Sequence, residues 1–363
     1  MLRLLDADLL CTRIFDVADT IDLEGCRAHI SADSRRLKLR RAGSEFIQLS
    51  DPPLLADLGP RALTVQGVSR EVKVAAALYS HGAISISVRV PVPTGSTIEE
   101  LIPVADELYD SAPLDALAQE EVEKLRKLLV AHFERPHLWD RNEGYTVIFV
   151  RGLEGKPSAE QVLASPGLAR LLLGEKDRLS AAEERAVLAD HFSYTPDDLA
   201  IVEWNAAFVY EPSGSEDIVD LLEIANAQLL ELRYYDAVLD DELARIYEVV
   251  GQRPTSLLFS PYKRLARELM QTLFELSEFI ERVENSLKIV GDVYLARVYE
   301  GALHELRIAR WTEQVTRKHR LLQQAYGLLK GETDTGRALT LETMVVVLIL
   351  FEIVMALFRV GSH

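Results

Sequence analysis

Apolar and polar positions alternate strictly along two neighbouring runs. Val72, Val74, Ala76 and Leu78 share one side of the first, and Ile84, Ile86, Val88 and Val90 one side of the second, with Ser85, Ser87 and Arg89 facing the other way. A period of two on both arms, joined by the three-residue loop Ser80-His81-Gly82 and closed by Pro91 and Pro93, predicts a β-hairpin. Shorter runs predict strands at Thr12–Val17, Tyr145–Val150 and Ile201–Tyr210; the last places Trp204, Ala206, Phe208 and Tyr210 on one face and Glu203, Asn205 and Val209 on the other. Helical spacing predicts helices over Leu23–Ile30 behind an acidic entry at Asp19 to Asp22, and over Leu114–Phe133, Ala159–Leu173 and Ala181–Asp190. Strands that arrive as a hairpin and singly, without a repeating β-α unit, predict an α+β fold: an N-terminal mixed or mostly antiparallel sheet with helices.

From Ser215 the period becomes helical. Ser215 with Asp217 can cap a helix whose apolar positions Ile218, Leu221, Leu222, Ala225, Leu229 and Leu232 recur three and four apart. Residues 261–290 carry a heptad, with Leu269, Leu276, Val283 and Val290 interleaved by Ala266, Leu273, Ile280 and Leu287. Gly291-Asp292 interrupts it, a short helix Val293–Glu305 follows, and Ile308, Val315, Leu322 and Leu329 form a second stripe. Matching stripes predict a long-helix, coiled-coil-like seam, either within one chain or between copies in a homo-oligomer joined through 261–330. The organisation expected is an α+β head over 1–214, a helical region over 215–338 and a C-terminal hydrophobic helix over 339–360.

Leu339–Phe358 is 20 residues long, and thirteen of them are Leu, Ile, Val or Phe. As a helix it would span about 30 Å, the thickness of a bilayer core. Seven basic residues stand against three acidic ones over 307–337, and only Arg359 follows the run. The positive-inside rule therefore predicts a single-pass inner-membrane protein with its N-terminal bulk cytoplasmic. Glu342 lies near the entry; Glu352 lies inside and needs protonation or a partner group, which points to helix–helix contact. The competing reading is an apolar helix buried in a soluble oligomer.

Composition narrows the chemistry. The chain has 363 residues, 48% hydrophobic and 27% charged, with a net charge of −17. That charge is spread as −6 over 1–150, −12 over 151–260 and +1 over 261–363, so direct nucleic-acid binding is not expected. Cys11 and Cys26 cannot build a disulfide framework or a four-ligand zinc site by themselves and read as small buried apolar residues. The N-terminus, with Arg3, Asp6 and Asp8, has neither the apolar core of a signal peptide nor the basic character of a transit peptide. Phosphate-loop, dinucleotide, zinc-protease and nucleophile-elbow motifs are absent, and no cofactor or metal is implied. His132 and His137 are separated by Pro136, and the cluster Asp236, Asp240, Asp241 and Glu242 reads first as a solvated helix end and second as a cation site.

The segments Leu222–Asp236 (LEIANAQLLELRYYD) and Asp292–Tyr299 (DVYLARVY), then Trp311 and Lys318, then Leu341-Glu342 with the internal Glu352-Ile353, resemble a bacterial member of the required-for-meiotic-nuclear-division family, the domain-of-unknown-function 155 proteins. The resemblance implies a non-enzymatic, membrane-anchored oligomeric scaffold or tether that presents its acidic head to a protein partner. It marks Glu223, Asn226, Glu231, Arg233, Tyr234 and Asp236 on one helix, Asp292, Tyr294, Arg297 and Tyr299 on a second, and Trp311 and Lys318 beyond, none of them catalytic. Because buried charges need partners, Glu231, Arg233 and Asp236 are expected to pair with Arg297, Asp292 or Lys318. The alternative function is a soluble oligomeric ligand-binding protein or enzyme with a cleft in the head, lined by His81, His191, Glu203 and Asn205. Convergence of those side chains on one pocket favours it.

Overall fold

A computed structural model describes residues 2–30, 34–37, 51–251, 267, 269–270, 273–274, 276–277 and 293–328. Its strands are β1 (Leu4–Asp16), β2 (Thr20–Ile21), β3 (Arg35–Arg36), β4 (Leu54–Val65), β5 (Val68–Leu78), β6 (Ala83–Pro91), β7 (Phe133–Glu134), β8 (Asn142–Leu153), β9 (His191–Phe192), β10 (Leu199–Val202) and β11 (Ala206–Tyr210). The helices are α1 (Leu23–Arg27), α2 (Ile98–Tyr109), α3 (Ala112–Leu129), α4 (Ala159–Leu163), α5 (Leu168–Leu173), α6 (Ala181–Val187), α7 (Asp217–Gly251) and α8 (Val293–Glu305), and residues 308–328 are also helical. The chain divides into two compact units, 1–234 with 285–311, and 235–284 with 312–363.

The first unit is built on a nine-stranded sheet in the order β3-β4-β5-β6-β1-β8-β11-β10-β9. Every pairing is antiparallel except β8 with β11, where Ala206 to Tyr210 run parallel to Thr146 to Val150. The long central strand β1 pairs with β6 on one side, Cys11 opposite Val88, and with β8 on the other, Leu10 opposite Val147. This is a mixed α+β fold with a large N-terminal sheet.

The alternation read from the sequence decides which face is which. Val72, Val74, Ala76 and Leu78 of β5 and Ile84, Ile86, Val88 and Val90 of β6 join one large core with Leu9, Cys11 and Phe15 of β1 and the apolar sides of α2, α3 and α5. The opposite face is also covered. There Ile14, Ala77, Tyr79 and Ala83 pack against Ala227 and Leu230 of α7. Both cysteines are free and buried, and burial lifts each thiol pKa to about 11.

Capping residues fix several helix starts. Asp22 accepts from the backbone N–H of Gly25 at 3.0 Å and opens α1, and Thr97 with Glu100 forms a reciprocal capping box at the start of α2. The stretch expected as one helix over Ala159–Leu173 is two, α4 and α5, because Gly167 adopts φ +83 between them. The run Ile201–Tyr210 is a hairpin rather than one strand. The turn Glu203-Trp204-Asn205 separates β10 from β11, and the Glu203 N–H donates to the Ala206 carbonyl at 2.8 Å.

In the second unit Leu239, Leu269, Leu276, Val315 and Leu322 are fully buried, and the Tyr326 hydroxyl donates to the Met270 sulfur at 3.4 Å. Lys318 reaches Asp236 at 2.8 Å and Asp240 at 2.7 Å, and Arg245 reaches Glu242 at 2.7 Å, so three of the four acidic residues of that cluster on α7 are bound by basic side chains. The single-pass inner-membrane placement is corrected: among the described residues no helix is long and apolar enough to cross a membrane. The run Leu339–Phe358 with Glu342 and Glu352, on which that placement and the C-terminal hydrophobic helix rested, lies outside the described residues.

The β5–β6 connection is a close-approach site. Gly82 sits at φ +98, and a Cβ there would lie 1.7 Å from the Ala18 carbonyl oxygen. Gly82→Ala is expected to cost about 3 kcal/mol or more, through both strain and collision. Urea unfolding of the full chain measures it, and a cost below about 1 kcal/mol would show that the turn relaxes freely.

Candidate functional site

The face of the sheet beneath α7 carries polar side chains. Asp8 and Asp16 lie on it at the two ends of β1, both buried. Asp8 is held by Arg89 at 3.0 Å and by Arg151 at 2.8 Å, and Arg89 continues to Glu216 at 2.7 Å. Asp16 is bonded by His137 Nε2, while His137 Nδ1 lies 3.1 Å from the Arg135 carbonyl and 3.6 Å from Asp19. Burial raises the Asp16 pKa although His137 opposes it. Burial works against charge on His137, but Asp16, the Arg135 carbonyl and Asp19 outweigh it and raise the ring above its ordinary value.

The α7 residues singled out from the sequence meet this face from above. Glu223 is pushed up by burial despite hydrogen bonding with Ser85 and Tyr79, and its neighbour one turn away, Asp220, is pushed up by burial and by the Glu223 charge. Asn226 is buried and donates to the Leu222 carbonyl at 2.8 Å within its own helix. Glu231 lies 3.7 Å from His81. Arg233 binds Glu143 of β8 and places its guanidinium 6.0 Å from the Trp311 ring, and Tyr234 stacks on His137 at 5.2 Å. Glu231 and Arg233 thus take partners from the sheet, where pairing across the helices was expected. Asp236 and Lys318 pair with each other in the second unit. The Tyr299 hydroxyl donates to Gln228 at 2.9 Å, and Arg297 is exposed with its guanidinium 5.9 Å from the Tyr294 ring. Asp292 lies outside the described residues.

The four polar residues proposed to line a cleft share one end of the sheet without converging. His81 lies in the β5–β6 turn and His191 starts β9, five strands away in the sheet order, which is roughly 24 Å at the ordinary strand spacing. Glu203 and Asn205 occupy the β10–β11 turn, and burial raises the Glu203 pKa. His132 faces Asp22 at 3.8 Å, whereas His137 faces Asp16, so that pair does not share a ligand position. Donor atoms of Asp190, His304 and Glu305 lie within 4.8 Å of one another, but Asp190 and His304 are exposed and His304 already approaches Glu305 at 3.4 Å.

A cavity of about 310 Å³ lies at the other end of the sheet, beyond the carboxyl end of β11. The chain leaves β11 at Glu211, turns through Pro212 to Ser215 and enters α7, while the loop before β10 and the start of α8 supply the remaining walls. Asp198 shapes that loop: its carboxylate accepts from the N–H groups of Tyr194 at 2.7 Å and Thr195 at 2.9 Å and from the Thr195 hydroxyl at 2.8 Å. The Tyr294 hydroxyl approaches the same carboxylate at 3.5 Å, and the rings of Tyr194 and Tyr294 stand 5.6 Å apart. Four carboxylates line the cavity, Asp197, Asp198, Glu211 and Asp217, with no basic residue among the described lining residues. Residues from three separate segments build this site, so no local spacing announced it. Asp217 and Tyr294 were noticed in the sequence only as a cap and as a motif position.

These features define a class: an open mixed sheet covered by helices on both faces, with a cavity beside its one parallel strand pair, a common place for ligands in open α/β sheets. The chain belongs to the family described as "Uncharacterized protein MJ0711, N-terminal domain", whose model matches residues 6–216, from β1 to the threshold of α7. It is similar to "Uncharacterized protein MJ0711" of Methanocaldococcus jannaschii, 24% identical over 196 residues, which are 53% of this chain and 59% of that protein. The match therefore spans less than two-thirds of the relative's length. No solved structure matches the chain. The resemblance to the required-for-meiotic-nuclear-division family is corrected accordingly. Its motif residues all follow the matched span, and those that the structure describes are helix positions held by neighbouring side chains or by their own helix.

Two expectations follow from the polar face. Because the folded pKa of His137 is raised, the protonated ring favours the fold; that contribution is complete below about pH 6.5 and is lost as pH rises through the raised value. The urea midpoint should fall between about pH 6 and about pH 8, and His137→Gln should flatten that fall. An unchanged slope in the variant would show that the ring does not titrate with folding. Arg233→Ala leaves Glu143 buried beneath α7 and should cost about 3 kcal/mol, with Glu143→Gln recovering part of the loss in the double variant. Additive losses in urea unfolding would show that the two side chains are not coupled.

Proposed function

We propose that this chain is a non-enzymatic binding protein whose head takes its ligand in the cavity beyond the carboxyl end of β11. The observation that carries the reading is the cavity's place. A space of about 310 Å³, at the lower end of the range for ligand pockets, opens beside the sheet's one parallel pair and at the start of a long helix. The buried charges elsewhere support it in the negative sense. Arg13 with Asp115, Arg61 with Glu121, Arg233 with Glu143 and His137 with Asp16 are committed to one another.

Thermal melting of the full chain with panels of small cations, anions and neutral compounds tests the reading. At least one class should raise the melting temperature, and Ser213→Trp or Pro212→Trp at the cavity wall should abolish the rise while leaving the far-ultraviolet circular dichroism unchanged. If no class stabilises the protein, or if the rise survives both substitutions, the cavity is not the ligand site.

A further inference from the structure

The composition of the cavity walls narrows the ligand class, resting on the reading of that cavity as the binding site. We propose that its occupant is an organic ammonium: a primary or methylated amine carried on a short aliphatic chain. Asp197 is exposed and Glu211 partly so, while Asp198 and Asp217 are buried. Against the four carboxylates stand two helix starts, those of α7 and α8, each worth roughly half a positive charge. The sum is strongly negative, so an anion is repelled and a cation attracted.

The remaining walls separate an organic cation from a metal ion. Asp198 already spends its oxygens on the Tyr194 and Thr195 backbone groups and the Thr195 hydroxyl, which leaves little for inner-sphere coordination. Tyr194 and Tyr294 line the cavity with aromatic side chains, and Pro212, Ile218 and Leu295 offer apolar surface along which methylene groups can lie. Aromatic rings beside carboxylates favour an alkylammonium through cation–π attraction together with charge pairing. A space of about 310 Å³ is also far larger than one hydrated ion needs.

The same chemistry can come from a free diamine or from a lysine side chain of a partner protein, and calorimetric titration of the full chain separates them. The probes are cadaverine, an acetylated and amidated Gly-Lys-Gly peptide, n-pentanol, acetate and magnesium. Cadaverine or the peptide should bind, and the double variant Asp197→Asn with Glu211→Gln should weaken that binding about tenfold, as should raising the salt to about 0.5 M. Tighter binding of cadaverine assigns a free amine, and tighter binding of the peptide assigns a partner's lysine. If pentanol or acetate binds as well as cadaverine and Ser213→Trp removes the binding, the cavity is a ligand site and the ammonium inference is wrong. Binding of magnesium in place of the amines overturns it in the same way. If no probe binds and no compound panel stabilises the protein, both readings fall together.

Discussion

The central strand of the sheet is buried on both faces, yet two of its residues on one face are aspartates. Burying a carboxylate without a partner costs several kcal/mol, so the positions of Asp8 and Asp16 dictate what must surround them. Asp8 draws Arg89 from β6 and Arg151 from β8, the two strands that flank β1, and thereby locks the register of three strands at one end. Asp16 draws His137 from the segment that leads into β8 and locks the other end. Thr12 lies between them and donates to the Tyr145 carbonyl at 3.1 Å, so the polar side of β1 is satisfied along its length.

The same constraint explains why α7 is amphipathic in an unusual sense. The helix covers a surface that is apolar in the middle, where Ile14, Ala77 and Ala83 meet Ala227 and Leu230, and polar toward its ends. Its own sequence follows suit, with Asp220 and Glu223 near its start and Glu231 and Arg233 a few turns on. Arg233 finds Glu143, but Asp220 and Glu223 face each other and Tyr79, and burial favours their neutral forms. Each such carboxyl group favours the fold in its protonated form, so its contribution is largest at acid pH and is lost as pH rises through its raised pKa.

Much of the sheet could be read from the order of residues alone, and the reason is physical. The β5–β6 hairpin declares itself because its apolar side faces one continuous core while its other side carries serines and an arginine. What that alternation could not say is that the polar side is covered as well: Ser85 is fully buried beneath α7. β4 escaped notice because Gly59 at φ +82 and Pro60 interrupt its period with a register shift after Asp57. α2 carried a readable signal in Thr97 and Glu100, a capping box, but Pro103 inside the helix masked it. The β10–β11 hairpin was hidden because β10 is apolar at every position from Leu199 to Val202, so no alternation marked its end, and the core-facing parity changes across the turn, with Leu199 and Ile201 opposite Tyr210 and Phe208. The motif residues on α7 and α8 drew attention as a set. Several of them instead mark the places where the helices contribute partners to the sheet face, and among the described ones only Tyr294 lines the cavity.

The two ends of the sheet differ in a way that follows from strand direction. At the end where β6, β8 and β11 begin, the charged side chains arrive on β1, the β5–β6 turn and α7 and can close on one another: His137 on Asp16, Arg233 on Glu143, Glu231 near His81. At the opposite end the parallel β11 stops against β8 and the chain must climb through Glu211 to Ser215 before α7 can turn back across the sheet. A parallel strand followed by a helix leaves a gap at its carboxyl end that no side chain of the strand itself can fill. The walls of that gap come from loop residues and helix starts, where Asp197 is exposed and Glu211 partly so while Asp198 and Asp217 are buried. Negative charge can therefore accumulate there at little cost to the fold, since Asp197 remains in water and Asp198 is held by backbone N–H groups rather than by a cation. The acidity of the head thus has two physically distinct parts, one paired with basic side chains on the sheet and one held at the cavity by water and by backbone N–H groups.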